Sequence, residues 1–210
     1  AQQIQVDRTT LVVDNDPAQS LGTEIATVES LPLADLLIET NQESNNLYAE
    51  GILRAMSPSG ESGSQVSLAS SIQVLESVLT QLGIEPQSYQ LVDGSGLSRQ
   101  NLVSPRAIVQ TLQRMTQSSN TATYRASLPV AGISGTLRNR FRNTPIQERL
   151  QGKTGALSHT AALSGYLTPT NDLPIVFSIL VNQFDRSLDQ TQQTIDEIIQ
   201  LLNDQSTCFK

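Results

Sequence analysis

The tetrapeptide Gly-Lys-Thr-Gly at 152–155 has the clearest chemical potential in the chain. A phosphate-binding loop would need a glycine five residues before Gly152, where Gln147 stands, and a helix afterwards, where the sequence predicts a strand. The sequence therefore excludes a phosphate-binding loop. Alternatively, Lys153 and Thr154 lie on an edge strand, where they can hold a carboxylate while glycine leaves room for a peptide alongside. A plain exposed lysine between loop glycines remains an equal alternative.

A Ser-x-Asn pattern supplies a hydroxyl and an amide, and it occurs twice, at residues 44–46 and 118–120. Either copy could simply cap a helix. The first copy lies in a break between two predicted helices, far upstream of Lys153. The second lies in a polar tail that begins 35 residues before Lys153. The two copies therefore differ in context rather than in composition.

Composition narrows the classes of function. The 210 residues are 38% hydrophobic and 16% charged, a globular balance, with a net charge of −7. An acidic chain without a basic stripe is a poor candidate for binding nucleic acid or anionic membranes. The single Cys208 and single His159 exclude a disulfide framework and a site of several imidazoles, so we expect no metal and no cofactor. Ser158 and His159 would point to opposite faces of a strand, which predicts a packing or surface role for the histidine.

Hydrophobic periodicity and caps predict the elements that position these residues. The predicted helices lie around 33–37, over 46–56 with Leu47 and Ile52 inward, at 72–82 with a stop at Gly83, and from Ser104-Pro105 onward. The predicted strands are 151–157 and a hairpin of 161–168 and 173–182, before a C-terminal helix with Ile195, Ile198, Ile199 and Leu202 buried. Residues before about 29 predict one or two further strands. Helices on both sides of a mainly antiparallel sheet accommodate this order.

Three segments together resemble the class C low-molecular-mass penicillin-binding proteins, which are D-alanyl-D-alanine carboxypeptidases and endopeptidases. The segments are 41–50 (NQESNNLYAE), 93–99 (DGSGLSR) and 152–157 (GKTGAL), in the order of the family and near its spacing. The resemblance extends over most of the chain after about residue 25. Asn45 stands where many relatives have aspartate, and Ala156 replaces a threonine that is common after Lys-Thr-Gly.

The resemblance implies an α/β fold of the β-lactamase/transpeptidase type, with a mainly antiparallel sheet and helices on both faces, present as a partial domain. Residues 1–28 are then the end of a preceding inserted domain or connecting strands. Residues 29–210 are the C-terminal part of the penicillin-binding domain.

Carried over by position, the resemblance also implies roles for individual residues. Ser44 relays a proton to the leaving amine, Asn46 hydrogen-bonds the substrate amide, and Lys153 tunes the relay electrostatically. Lys153 and Thr154 bind the terminal carboxylate, and the backbone N–H of Ala156 forms half of an oxyanion hole. The residues expected to bind substrate are Thr154, Gly155, Ala156, Ser95, Leu97 and Arg99. For Ser95 and Leu97, a glycine turn with one buried leucine is an equal alternative.

The nucleophile of the family is the serine of Ser-x-x-Lys, whose lysine takes the hydroxyl proton from one helical turn away. Lys153 and Lys210 are preceded at that spacing by Leu150 and Thr207, so the chain carries no such element. We expect the nucleophile in an N-terminal half outside this chain. The expected ligands are peptidoglycan stem peptides or β-lactams, and the expected location is periplasmic or extracytoplasmic. A non-catalytic peptidoglycan-binding or regulatory module, and a β-lactamase, are the alternatives.

Overall fold

The computed structural model describes residues 30–57, 67–169 and 173–205. The chain divides into two compact units, Ala1–Ser30 and Leu31–Lys210, and every element below belongs to the second. The strands predicted before residue 29 lie outside the described residues. Within the described ranges, no helix combines the length and the apolar character that a membrane span needs.

The second unit contains six helices and five strands over its described residues. The helices are α1 (Leu33–Gln42), α2 (Asn46–Arg54), α3 (Leu68–Gln81), α4 (Pro105–Thr116), α5 (Thr121–Ser127) and α6 (Leu188–Gln205). The strands are β1 (Tyr89–Gln90), β2 (Leu102–Val103), β3 (Leu150–Leu157), β4 (Thr160–Leu167) and β5 (Ile175–Asn182). Short 3₁₀ turns occur at Pro86–Ser88 and Gly135–Leu137.

The main sheet has the order β3-β4-β5 and is antiparallel throughout, while β1 and β2 form a separate antiparallel pair. Successive side chains of a strand point to opposite faces, and here each face meets a helix. On one face, the Tyr166 hydroxyl donates to the carbonyl of Leu112 on α4, at 2.9 Å. On the other face, Leu163 packs with Ile195 and Ile199 of α6 in the main core. The predicted antiparallel sheet with helices on both faces is confirmed.

One edge of β3 is covered only at its start. Val130 forms a bridge with Gln151, and the N–H of Gly152 donates to the carbonyl of Pro129 at 3.0 Å. Beyond residue 152, no described segment pairs with this side of the strand. Residues 153–157 therefore form an open strand edge, which begins at the Lys-Thr-Gly sequence.

The helix predictions hold with two corrections. Leu47, predicted to point inward, is 77% exposed, whereas Leu53 is only 4% exposed. The two residues are six positions apart, or about 120° around the helix, so packing of Leu53 leaves Leu47 toward solvent. Ile198, predicted in the buried stripe of α6, is 39% exposed, because Ile195 and Ile199 define the stripe and Ile198 lies beside it.

Candidate active site

Ser44 lies in a sharp turn between α1 and α2. Its φ is +56°, in the left-handed region that favours glycine. The N–H of Asn45 donates to the carbonyl of Thr40 at 3.2 Å and closes the end of α1, while Asn45 Oδ1 accepts from the N–H of Tyr48 and caps α2. A non-glycine residue in this conformation costs about 1–3 kcal/mol, a strain that clusters at functional sites. The turn presents a hydroxyl where a glycine would present none.

Lys153 is joined directly to this turn. Its Nζ donates to Ser44 Oγ at 2.7 Å and to the carbonyl of Thr154 at 2.9 Å. Burial lowers the pKa of Lys153, because desolvation disfavours the charged ammonium. Among the described residues, a salt bridge joins Arg140 to Asp196, and no carboxylate forms one with Lys153. A half-buried cation without a counter-ion suits an anionic ligand.

The strand that carries Lys153 directs backbone groups along its open edge. The N–H of Gly152 points away from β4, and alternate residues of an antiparallel strand direct their backbone groups to the same side. The N–H of Ala156 therefore also faces away from β4, at the open edge. A Cβ at Gly155 would approach that of Ala162 to 3.3 Å, closer than most such contacts. The strand therefore leaves little room for a side chain at Gly155.

The loop 93–98 is organised by one carboxylate. Asp93 accepts hydrogen bonds from the N–H of Gly96 at 2.6 Å, from the N–H of Ser98 at 2.7 Å and from Asn101 Nδ2 at 2.8 Å. Burial raises the pKa of Asp93, but the hydrogen bonds from Asn101, Ser98 and Gly96 together lower it below the usual value. Asn101 Oδ1 in turn accepts from the N–H of Val92 at 2.7 Å. The loop is therefore held in one conformation.

Glu50 fixes the same loop to α2. Its Oε1 accepts from the N–H of Gly94 at 2.9 Å and from the N–H of Ser95 at 3.1 Å. A Cβ at Gly94 would lie 2.8 Å from the carbonyl oxygen of Ala49, so the approach of loop and helix requires glycine. Glu50 lies one turn after Asn46. The helix that begins at Asn46 and the loop that carries Ser95 are thus one rigid piece.

We expect Glu50→Ala to release this loop without unfolding the chain. A hydrogen bond to a charged group contributes about 1.5–3 kcal/mol, so amide hydrogen exchange at Gly94 and Ser95 should accelerate about 10- to 100-fold. Exchange in the core of β4 serves as the internal reference. Glu50→Gln keeps the acceptor oxygen and should retain most of the protection. Unchanged exchange in the alanine variant would show that Asp93 alone orders the loop.

These elements enclose one groove with a volume of about 430 Å³. Of the nine residues predicted to act in the site, eight line it: Ser44, Asn46, Ser95, Leu97, Lys153, Thr154, Gly155 and Ala156. The other lining residues are Thr40, Asn41, Asn45, Ala49, Gly94, Gly96, Leu157, Thr160 and Ala162. Leu97 is 53% exposed, which excludes the alternative of a buried turn leucine.

Three other candidates lie elsewhere. Arg99, predicted to bind substrate, does not line the groove, because its Nη2 reaches out to donate to the carbonyl of Ser158 at 3.3 Å. The second Ser-x-Asn copy, at Ser118, lies where α4 ends and also does not line the groove. His159 and Ser158 occupy the β3–β4 turn rather than a strand, and His159 Nδ1 lies 3.0 Å from the carbonyl oxygen of Phe184.

Sequence reasoning missed the groups that support the groove. Glu50 and Asp93 carry no catalytic motif, and the one available signal was helical spacing, which places Glu50 four residues after Asn46. Asn41, whose Nδ2 donates to Ser127 Oγ at 2.8 Å, was also missed. Over the described residues, no group of three or more His, Cys, Asp or Glu could hold a metal ion. The chemistry on offer is that of hydroxyls, an amide, an ammonium and backbone N–H groups.

Comparison with known proteins agrees with this arrangement. Residues 1–205 match the model of the D-Ala-D-Ala carboxypeptidase 3 (S13) family. The penicillin-sensitive carboxypeptidase A of Dictyostelium discoideum is 34% identical over 83% of this chain and 35% of its own length. The D-alanyl-D-alanine carboxypeptidase of Actinomadura sp. (strain R39) is 35% identical over 73% of this chain and 29% of its own length. The chain thus spans about a third of these relatives.

Solved structures give the same result for the fold. Penicillin-binding protein 4 of Haemophilus influenzae, in complex with a β-lactam, superposes with a TM-score of 0.73 and 25% identity over 83% of this chain and 41% of its own. The TLA-1 β-lactamase, 16% identical, superposes with a TM-score of 0.62 over 83% of this chain and 64% of its own, which extends the likeness in fold to the β-lactamases. The α/β fold of β-lactamase/transpeptidase type is confirmed, and the chain belongs to the D-Ala-D-Ala carboxypeptidase 3 (S13) family.

Proposed function

We propose that this chain supplies the Ser-x-Asn and Lys-Thr-Gly sides of an active site that hydrolyses peptides ending in D-Ala-D-Ala through an acyl-enzyme. The observation that carries this proposal is the 2.7 Å hydrogen bond from Lys153 Nζ to Ser44 Oγ, in a groove that continues along the open edge of β3. The nucleophile is a serine hydroxyl from polypeptide outside residues 1–210. Its attack on the carbonyl of the penultimate D-alanine forms an ester and expels the last D-alanine, and water then hydrolyses the ester.

Departure of the D-alanine requires a proton on its nitrogen, and Ser44 is positioned to relay one. Because Lys153 Nζ donates to Ser44 Oγ, the hydroxyl proton of Ser44 is directed away from Lys153 and is free to be donated. The ammonium also stabilises negative charge that develops on Oγ during the transfer. Asn46, at the first turn of α2, hydrogen-bonds the substrate amide. These two roles account for the pairing of a hydroxyl and an amide on one turn.

The strand edge holds the rest of the substrate. A peptide added alongside residues 153–157 places its terminal carboxylate near Lys153 and Thr154, and its reacting carbonyl near the N–H of Ala156. That N–H is half of the oxyanion hole, and the N–H of the nucleophile is the other half. Ser95 and Leu97 line the part of the groove that receives the peptide side chain. Peptidoglycan stem peptides are the substrates, and β-lactams trap the acyl-enzyme. Because peptidoglycan lies outside the cytoplasm, the proposed location of the protein is periplasmic or extracytoplasmic.

A second candidate function is a non-catalytic peptidoglycan-binding or regulatory module. It is favoured by one observation, the absence of Ser-x-x-Lys from residues 1–210. Such a module would bind the terminal D-Ala-D-Ala through the same groove and would form no covalent bond with penicillin. The two functions are therefore separated by acylation rather than by binding.

Covalent labelling tests the proposal. We expect the coding region upstream of Ala1 to encode a Ser-x-x-Lys element, and the protein expressed with that element to be labelled by fluorescent penicillin. Changing its serine to alanine should abolish labelling, and residues 1–210 alone should remain unlabelled. No labelling at high dose, with peptide binding retained, would refute the enzyme and favour the binding module. Absence of both would contradict both functions.

A further inference from the structure

A second hydroxyl is in hydrogen-bond contact with that of Thr154. Thr154 Oγ1 donates to Thr136 Oγ1 at 2.7 Å, across 18 residues of sequence. Thr136 is exposed and lies in the 3₁₀ turn Gly135–Leu137. No role was assigned to it by any motif. Thr136 does not itself line the groove, but its hydroxyl contacts that of Thr154, which does.

The position of Thr136 is fixed on both sides. Gly135 has a φ of +55°, and a Cβ there would lie 2.8 Å from the carbonyl oxygen of Gln42, at the end of α1. Leu137, on the other side, is fully buried in the main core. The N–H of Gly132 donates to the carbonyl of Leu137 at 3.0 Å and ties down the turn. The backbone on both sides of Thr136 is thus held in place, which fixes its hydroxyl beside that of Thr154.

We infer that Thr136 and Thr154 form a two-hydroxyl anchor for the substrate's terminal carboxylate, so that the site selects peptides that end at this point over peptides that continue beyond it. This inference rests on the proposed function, since it assumes that the carboxylate lies at Thr154. Without ligand, one hydroxyl donates to the other. With a carboxylate bound, each hydroxyl turns to donate to one of its two oxygens, whose separation is slightly less than the 2.7 Å between the hydroxyl oxygens.

Charge makes the second hydroxyl selective. A hydrogen bond to an ionised acceptor is roughly twice as strong as one to a neutral acceptor. A peptide that continues past this position offers one neutral carbonyl and an N–H instead of two charged oxygens. Thr136 therefore gains more from a free carboxylate than from an amide. The site is suited to carboxypeptidase rather than endopeptidase substrates.

The test compares two ligands on the 210-residue chain itself, which needs no nucleophile to bind them. The probes are diacetyl-Lys-D-Ala-D-Ala and its C-terminal amide, and the dissociation constants come from amide chemical shifts in ¹⁵N-labelled protein. We expect Thr136→Val to weaken the acid about tenfold and to leave the amide almost unchanged, because a charge-assisted hydrogen bond is lost. Thr136→Ser keeps the hydroxyl and should keep the selectivity. Thr116→Val is the control for general effects on folding, because the Thr116 hydroxyl donates to the carbonyl of Gln113 at the end of α4, whereas that of Thr136 contacts Thr154.

Each outcome supports or overturns the inference. A lowered acid-to-amide ratio in Thr136→Val, restored in Thr136→Ser, supports it. If the wild type binds the acid and Thr136→Val keeps the same ratio, the anchor is wrong while the proposed function stands. If the wild type shows no shift at Thr154 or Gly155 with either peptide, the proposed function fails and the anchor fails with it. A general loss of affinity for both peptides in Thr136→Val would assign Thr136 a merely structural role and overturn the selectivity.

Discussion

Replacing Gly165 with alanine should lower the free energy of unfolding by about 3 kcal/mol, the upper end of the usual cost of overpacking. Gly165 lies directly opposite Gly152 in the β3–β4 ladder. A Cβ at Gly165 would lie 2.1 Å from the carbonyl oxygen of Gln151 and 2.6 Å from the Cα of Gly152. Both atoms belong to backbone, which cannot rotate away as a side chain can. The two strands must separate at the residue before Lys153.

Urea denaturation measures this loss, and the chain contains a matched control. Gly51 lies inside α2, and a Cβ there would meet nothing within 4 Å. Glycine in a helix interior lowers the stability of the folded state by about 0.5–1 kcal/mol relative to alanine, so Gly51→Ala should stabilise the chain. Opposite signs are thus expected from the same chemical change. Equal stability of Gly165→Ala and wild type would mean that the strands tolerate a wider spacing than the structure shows.

Changing Lys153 to methionine should abolish most peptide binding while leaving stability equal or higher. The ammonium has lost solvation in the groove without gaining a carboxylate partner among the described residues, so its removal relieves a cost of folding. The affinity for diacetyl-Lys-D-Ala-D-Ala should fall about 10- to 100-fold, the effect of losing a charged hydrogen bond. Titration by NMR and urea denaturation of the same samples measure the two effects. A variant that is clearly destabilised would contradict this account of Lys153.

The pH dependence of Lys153 gives the same account a second check. Burial holds the pKa of folded Lys153 below the usual lysine value of 10.5, so the unfolded chain binds more protons between the two values. Wild-type stability relative to Lys153→Met should therefore rise as pH increases through the lowered pKa toward 10.5. Affinity for the carboxylate should fall over the same range, because the ammonium loses its charge. An affinity that stays flat up to pH 10.5 would be inconsistent with a lowered pKa.

Sequence predicted the elements whose signals are local. Ser104 caps α4, with its side chain accepting from the N–H of Ala107 at 3.1 Å, and Gly83 ends α3 with a φ of +80°. Helix α5 was not predicted, because its seven residues include two threonines and a serine, which are poor helix formers. Part of its stabilisation comes from a contact 86 residues away in sequence, where Asn41 Nδ2 donates to Ser127 Oγ. Such a contact leaves no periodic pattern.

The candidate site was predictable only as a set of segments. Ser44 and Lys153 are 109 residues apart, and no spacing rule joins them, so the resemblance to a family had to supply their proximity. The resemblance covered Glu50 and Thr136 but assigned neither of them a role, because their roles depend on tertiary geometry. It also placed Arg99 among the binding residues, whereas its guanidinium is engaged by the β3–β4 turn. Backbone geometry decides these details, and side-chain identity does not encode it locally.

The covered start of β3 has a consequence for solubility. An uncovered strand can template pairing with other molecules and thereby nucleate aggregates. The segment at Val130 shortens the exposed stretch to residues 153–157, about 17 Å at the usual rise per residue. Lys153 adds a charge at its first position, which opposes stacking of identical chains. The site can therefore remain accessible to a short ligand while the open edge is too short and too charged to pair readily with strands of other molecules.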